Sequence, residues 1–193
     1  DGGYVRGDDT ERLFKSDADW ICPGWNTDTS CIYMTDPPAA TGEKIILIDT
    51  DHLWGVGGDS KWVWKSFLRG LQPNYMDPYV EYDPGATWGS TQGQFDSVRH
   101  AMGITLKVAN QINLVAMIPH NELSSTTYCL ADPGSAYLIY LPDGDKVTVN
   151  LSNAVGTLKV QWLKPVEGTI IEGKRITGGR KQELIAPFSG DAI

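Results

Sequence analysis

The stretch Lys44–Gly58, KIILIDTDHLWGVGG, decides how the rest of the chain is read. A run of large apolar residues, Ile45 to Ile48, breaks abruptly into Asp49, Thr50, Asp51, His52 and Trp54, then into a glycine-rich turn. An uninterrupted apolar run is the pattern of a strand buried on both faces, as in parallel sheets covered by helices. Carboxylates and an aromatic at the carboxyl end of such a strand stand where α/β folds build their sites. Downstream, Asp59 or Ser60 caps a helix that runs through WVWKSFLR to about Arg69 and is stopped by Gly70. Asn74–Met76 reads as a second strand ending at Asp77-Pro78-Tyr79, and strand, helix, strand is a βαβ unit. After a long loop, Gln94–Ile112 places Phe95, Val98, Met102, Leu106, Ala109 and Ile112 on one helical face. Upstream, residues 1–43 read as loop-rich and polar, with DGG, CPGW and DPPAATG as turn clusters and Ser16 capping a short helical turn at DADW.

From about Pro119 the texture changes. TTYCLA, AYLIYLP, KVTVNLS, TLKVQWL, TIIEGKRIT and KQELIAP follow one another, separated by DPGS, PDGD, SNAVG, KPVEG and TGGR. Short β-rich runs with turn signals at such regular spacing indicate an antiparallel sandwich. Lys146, Thr148 and Asn150 alternate with Val147, Val149 and Leu151, so one face is core and the other solvent. The sandwich reads as self-contained. The first half does not, because two parallel strands and two helices cannot cover their own apolar faces. By composition the chain is α+β: an incomplete (β/α) arrangement followed by an antiparallel β-sandwich.

Bulk properties narrow the partners. At 193 residues the chain can bury a real core, and no apolar run approaches membrane-spanning length. A formal net charge of −8 with scattered Lys and Arg argues against nucleic acid, which needs a basic face. It suits a neutral ligand, and seven Trp with eight Tyr are flat surfaces of the kind sugars stack on, although most such rings fill cores. Cys22 and Cys31 flank the polar loop PGWNTDTS, which a disulfide can close in an oxidising compartment. Cys129 lies in an apolar run and reads as a buried free thiol. The chain opens at Asp1 without a charged-then-apolar leader, so its true beginning is expected to be missing or processed.

The combination IILIDTDHLWGVGGD, WVWKSFLRG, NYMDPY, AYLIYLPDG, VQWLKPVEG and APFSGDA resembles a group of bacterial glycoside-hydrolase-like proteins. In that group a TIM barrel of the apiosidase type is followed by a β-sandwich labelled a collagen-binding domain. The resemblance runs from about Ser16 to the end. It implies that Ile45–Asp49 and Asn74–Asp77 are the last two barrel strands, that the first six are absent, and that the protein is extracellular or periplasmic. On this reading residues 1–118 are a partial TIM barrel with an amino-terminal loop region, and residues 119–193 are the sandwich. The family's last strand continues past GDA, whereas this chain stops at Ile193. Two departures stand out. Lys164-Pro165-Val166-Glu167-Gly168 replaces an asparagine-proline-arginine-threonine-glycine turn, and Asp49-Thr50-Asp51 stands where apiosidase-type members place a glutamate nucleophile.

A glycosidase needs two carboxyl groups across the scissile bond. Asp51 is the first candidate by position and Asp49 the second, with His52, Trp54, Asp77 and Tyr79 as candidates for a sugar subsite. The partner acid of a barrel enzyme would come from an earlier strand. The blander alternative is that Asp49 and Asp51 hydrogen-bond backbone groups and cap the turn. Asp49, Asp51 and His52 also suit a metal, but no second His or Cys cluster lies at ligand spacing, so neither metal nor cofactor is expected. The GVGG turn lacks the Lys-Ser/Thr of nucleotide loops, and neither a Gly-x-Ser-x-Gly elbow nor a Cys–His arrangement is visible. Trp62 and Trp64 are also aromatic, but at helical spacing they cannot both face one way.

Two functions follow. One is a carboxyl-terminal portion of a glycoside hydrolase carrying at most one catalytic carboxylate and inactive alone. The other is a non-catalytic extracellular binding or structural sandwich for glycan or protein. The Ile45–Ile48 strand, with one obvious parallel neighbour, also leaves an uncovered edge through which two copies can pair. Otherwise residues 1–43 fold back over it with Leu13, Phe14, Trp20, Ile21 and Trp25.

Overall fold

The computed structural model describes residues 2–5, 10–24, 30–54, 57–77 and 95–193. The chain divides into two compact units. The first comprises Asp1–Phe67 and Leu71–Gly103, and the second Leu68–Gly70 and Ile104–Ile193.

The first unit is built on a parallel sheet. Its elements are β1 (Gly2–Val5), α1 (Thr10–Lys15), β2 (Trp20–Pro23), α2 (Ser30–Thr35), β3 (Ile45–Asp49), α3 (Thr50–Leu53), α4 (Ser60–Leu68) and β4 (Gln72–Asn74), followed by α5 (Asp96–Ala109). The strands lie in the order β1-β2-β3-β4 and every pairing is parallel. Each strand therefore sits beside its predecessor in the chain, and nowhere does the order reverse.

Four expectations from the sequence are corrected here. Residues 1–43 are not mainly loop: GGYV and WICP are strands of the sheet, with TERLFK and SCIYMT as helices between and after them. Ser16 follows α1, its hydroxyl donating to the Leu13 carbonyl at 2.7 Å and accepting the Ala18 N–H at 3.4 Å, but no helical turn forms over DADW. The β3 strand is paired on both edges, by β2 and β4, so no open edge of its own is left for a second copy. Nor is it buried on both faces. Ile46 and Ile48 are inside at 4% and 0% exposure, while Ile45 is 57% exposed, so burial alternates with the pleat. Leu13 and Ile21 are buried as parts of these elements, whereas Phe14 and Trp20 stay exposed. Trp25 lies outside the described residues.

Local signals account for α4. The Asp59 side chain accepts the Trp62 N–H at 2.7 Å, which caps the amino end. Gly70, at φ +73°, ends the helix in the left-handed region, and the Leu71 N–H returns to the Ser66 carbonyl at 3.0 Å. Both Trp62 and Trp64 are buried, because α4 is covered on nearly every side and not along one stripe. Trp62 donates its indole N–H to the Tyr33 carbonyl at 3.1 Å, and Trp64 meets Phe67 edge-on with centroids 6.3 Å apart. The β4 strand lies two residues earlier than the expected Asn74–Met76, and α5 is shorter at both ends than 94–112.

The second unit is antiparallel throughout. Its strands are β5 (Ile118–Pro119), β6 (Cys129–Asp132), β7 (Ala136–Ile139), β8 (Lys146–Asn150), β9 (Thr157–Leu158), β10 (Gln161–Leu163), β11 (Ile170–Glu172), β12 (Ile176–Thr177) and β13 (Lys181–Ile185). They form small sheets: β5-β6-β7, β8-β13, β9-β12 and β10-β11. No helix interrupts residues 136–187. The expected alternation holds along β8, with Val147 and Val149 buried and Lys146 and Thr148 exposed. Leu141, Val147, Val149, Leu151, Ala154, Trp162 and Ala192 form the core that the small sheets share. The PDGD turn before β8 needs its glycine: Gly144 has φ +70°, and a Cβ there would sit 2.1 Å from the Gly190 carbonyl oxygen. Cys129 is a free, fully buried thiol, as its apolar surroundings foretold, and burial pushes its pKa up to about 12. Among the described residues no helix is long and apolar enough to cross a membrane.

Candidate functional site

The parallel register brings the carboxyl ends of β2, β3 and β4 side by side. There β2 delivers Cys22, β3 delivers Asp49, β4 delivers Asn74, and the chain beyond β4 delivers Met76 and Asp77.

Asp49 closes β3 and caps α3. One carboxylate oxygen accepts the Asp51 N–H at 3.0 Å, and the other accepts the Asn74 side-chain amide at 3.2 Å. Thr50, fully buried, accepts the Met76 N–H on its hydroxyl at 2.9 Å and so ties the segment after β4 to the end of β3. Asp51 stands in the first turn of α3 and not on the strand. Its side chain is half exposed, with Oδ2 3.9 Å from His52 Nε2. The other ring nitrogen, Nδ1, lies 3.1 Å from Cys22 Sγ.

This contact revises two expectations. Cys22 is a free thiol and not half of a disulfide with Cys31, and a Cys–His arrangement does exist. Burial pushes the Cys22 pKa up to about 11, with the Asp49 backbone opposing and the Asp49 charge reinforcing the shift. The sulfur stays protonated, and which of Sγ and Nδ1 donates is set by the imidazole tautomer. An activated nucleophilic cysteine needs the opposite shift, so burial here works against thiolate formation at Cys22.

Asp77 is held in a two-pronged ion pair. Arg99 donates from Nε at 2.8 Å and from Nη2 at 2.7 Å, and reaches Asp96 with Nη1 at 2.7 Å. These carboxylates, Asp77 first, hold the Arg99 pKa above its ordinary value. Trp54 ends α3 half-buried, its ring edge-on to Trp62 at 5.5 Å. Tyr79 lies outside the described residues. Of the sequence candidates, Asp49, Asp51, His52, Trp54 and Asp77 thus belong to one end of one sheet. Trp62 and Trp64 are core. Cys22, Asn74 and Arg99 were missed. Cys22 ends an apolar run, WIC, which was the available signal; the other two carried none.

Chemically, Asp49 has both oxygens engaged and serves as the organiser of the turn. Asp51 is the carboxylate open enough to accept a proton or polarise water. Among the described residues no three His, Cys, Asp or Glu side chains gather closely enough to hold a metal ion.

Residues 115–192 match a family model described as "Putative collagen-binding domain of a collagenase". A solved structure titled "Glycoside hydrolase" superposes with a TM-score of 0.58 at 10% identity, over 94% of this chain and 43% of its own. A glycoside hydrolase family 5 protein from Bacteroides vulgatus ATCC 8482 superposes with a TM-score of 0.61 at 11% identity, over 79% of this chain and 41% of its own. The chain thus shares its fold with parts of these proteins and spans less than half the length of either. A search of the curated proteins by sequence returns no match.

Proposed function

We propose that the chain is the carboxyl-terminal portion of a glycoside-hydrolase-like protein acting on glycans. Residues 1–118 are read as late βα units of a TIM-type barrel, and residues 119–193 as an accessory β-sandwich. One observation carries the reading: parallel strands stepping in chain order present Asp49, Asp51, His52 and Asp77 at their carboxyl ends. That is where barrel enzymes place their chemistry, and the stepwise order is the barrel's, not that of a doubly wound sheet. The order supports four βα units where the resemblance implied two.

In this scheme Asp51 is the nucleophile or base, Asp49 fixes the turn that presents it, and His52 and Trp54 line the sugar subsite. The acid across the glycosidic bond comes from a barrel strand outside those described, since glycoside hydrolysis needs a second carboxyl group about 5–10 Å away. The ligand is a neutral glycan and the setting extracellular or periplasmic.

The match of residues 115–192 to a binding-domain model favours a second reading, in which the antiparallel unit binds glycan or protein without chemistry. An assay of the purified chain against a panel of aryl glycosides, with retention of the chain on immobilised glycans alongside, separates the two. The expected result is no turnover, together with retention that Trp54→Ala weakens roughly tenfold, the loss of one stacking contact of about 1.4 kcal/mol. Clear turnover overturns the fragment reading. Retention indifferent to Trp54 assigns the glycan to the antiparallel unit.

A further inference from the structure

The strand lines β8-β9 and β12-β13 run beside each other as one bent antiparallel ribbon. Leu158 faces Ile176 and Thr157 faces Thr177. The bonding then continues from the Gly178 N–H to the Gly156 carbonyl at 2.8 Å, and from the Gly179 N–H to the Leu151 carbonyl at 2.9 Å. Beyond the glycines Lys181 faces Asn150, and the β8–β13 ladder takes over. Ile176 and Leu184, an even number of positions apart, both pack against the core cluster. Side chains alternate along a strand, so Arg175, Thr177 and Lys181 share the outer face. Leu158 and Val160 pack inward as well, which turns Thr157 and Lys159 outward beside them.

Positive charge collects on this ribbon. The chain as a whole carries −8 with its cations scattered, yet Lys174, Arg175, Arg180 and Lys181 lie close together with no acid between them. All four are exposed. Elsewhere in the antiparallel unit Lys146, Lys159 and Lys164 reach Glu183, Glu172 and Glu167 at 3.0, 3.1 and 3.0 Å. The four cations of the ribbon reach no carboxylate among the described residues.

The register adds a cost. One step further along the β9–β12 pairing, Arg175 stands directly across from Lys159. Like charges so placed destabilise a sheet. Glu172 offsets Lys159, and no acid among the described residues offsets Arg175. An anion bound from outside would relieve that repulsion through charge-assisted hydrogen bonds.

The rest of the face says what carries the anion. Thr157, Thr177 and Asn150 stand between the cations and offer hydroxyl and amide groups that match the hydroxyls of a sugar. No aromatic side chain shares the face, so nucleobases would find no platform to stack on. The dense phosphates of a duplex would also be repelled by the net charge of −8. Arg175 and Lys181 are separated by at most about 20 Å of extended strand, a span for a chain bearing charges at intervals and not for one small ion.

We propose that this outer face, from Lys159 and Arg175 to Lys181, is a docking strip for an acidic glycan, a polysaccharide carrying carboxylate or sulfate groups along its length. Lys174 and Arg180 add to the attraction from their exposed positions on the same strand line. The strip is separate from the ends of the parallel strands, whose proposed ligand is neutral.

The test titrates the full ¹⁵N-labelled chain at low salt with four probes of matched length. They are an oligogalacturonate, a heparin oligosaccharide, a neutral maltooligosaccharide and single-stranded DNA. The expected result is saturable amide shifts at Thr157, Lys159, Arg175, Thr177 and Lys181 with an acidic glycan, the preferred probe telling carboxylate from sulfate. Those shifts should fade as ionic strength rises to about 0.5 M. Arg175→Ala combined with Lys181→Ala should weaken binding roughly tenfold. Lys107→Ala, which removes an exposed cation of α5, should change it by less than about twofold. Silence of the strip toward both acidic glycans overturns the proposal. So does equal binding of the maltooligosaccharide, and so does tighter binding of DNA, which would make the strip a nucleic-acid surface. Equal losses in the two variants would reduce the effect to net charge and overturn it as well.

Discussion

Replacing Trp64 by alanine is expected to lower the stability of the parallel-sheet unit by about 3–5 kcal/mol, the usual cost of emptying a fully buried aromatic site. Trp64 has no exposed surface and stacks edge-on against Phe67, and its neighbours Val63 and Leu68 are equally inaccessible. The site cannot collapse easily, because α4 is packed on nearly all sides. Against a total of about 5–15 kcal/mol, such a loss leaves little margin. Urea unfolding followed by tryptophan fluorescence should show the midpoint fall steeply in Trp64→Ala. A change below about 1 kcal/mol, accompanied by lost glycan retention, would instead make Trp64 part of a sugar subsite.

The second large effect is a loss of stability in alkali. Cys22 and Cys129 are protonated, buried thiols whose pKa values rise from 9.0 to about 11 and about 12, in each case mainly through burial. Above pH 9 the unfolded chain releases these protons while the folded chain keeps them. The unfolded state then binds fewer protons, so stability falls as pH rises. The contribution is complete below pH 9 and is lost through the window up to pH 11 for Cys22 and pH 12 for Cys129. Each thiol should cost about 1.4 kcal/mol per pH unit within its window. Tyr33, buried and raised to about 12, steepens the decline beyond pH 10. Urea midpoints measured from pH 7 to pH 11 should be flat and then drop, and Cys22→Ala and Cys129→Ala should each flatten part of the drop. A profile level to pH 10.5, or one that both variants share with the parent, would contradict the assignment.

Elements long enough to show a period were legible in the sequence. The apolar run Ile45–Ile48 announced β3, the Val147, Val149 and Leu151 alternation announced β8, and Asp59 with Gly70 bracketed α4. Shorter elements were not. The β1 strand is GGYV, with two glycines, and β4 is QPN, polar and bearing a proline, so neither contains a period to detect. Tertiary pairing makes them strands. The same holds at the site. Asp49 and Asp51 were visible because they follow an apolar run, but Cys22 lies thirty positions from His52 and Asp77 lies twenty-two from Arg99. The parallel pairing of β2 with β3 brings the first two together, and the packing of α5 brings the second two. The burial of Ile45–Ile48 was overread for a related reason: an apolar run does not say how well each face is covered, and Ile45 is exposed.

The proposed function places sugar at the carboxyl edge of the parallel sheet. Its most direct test is a titration of the ¹⁵N-labelled chain with a panel of neutral oligosaccharides, read as amide shift changes. The account predicts perturbations centred on Asp51, His52, Trp54 and Asp77, the groups gathered at the ends of β3 and β4. Perturbations confined to residues 115–192, with that edge silent at saturating sugar, would contradict it.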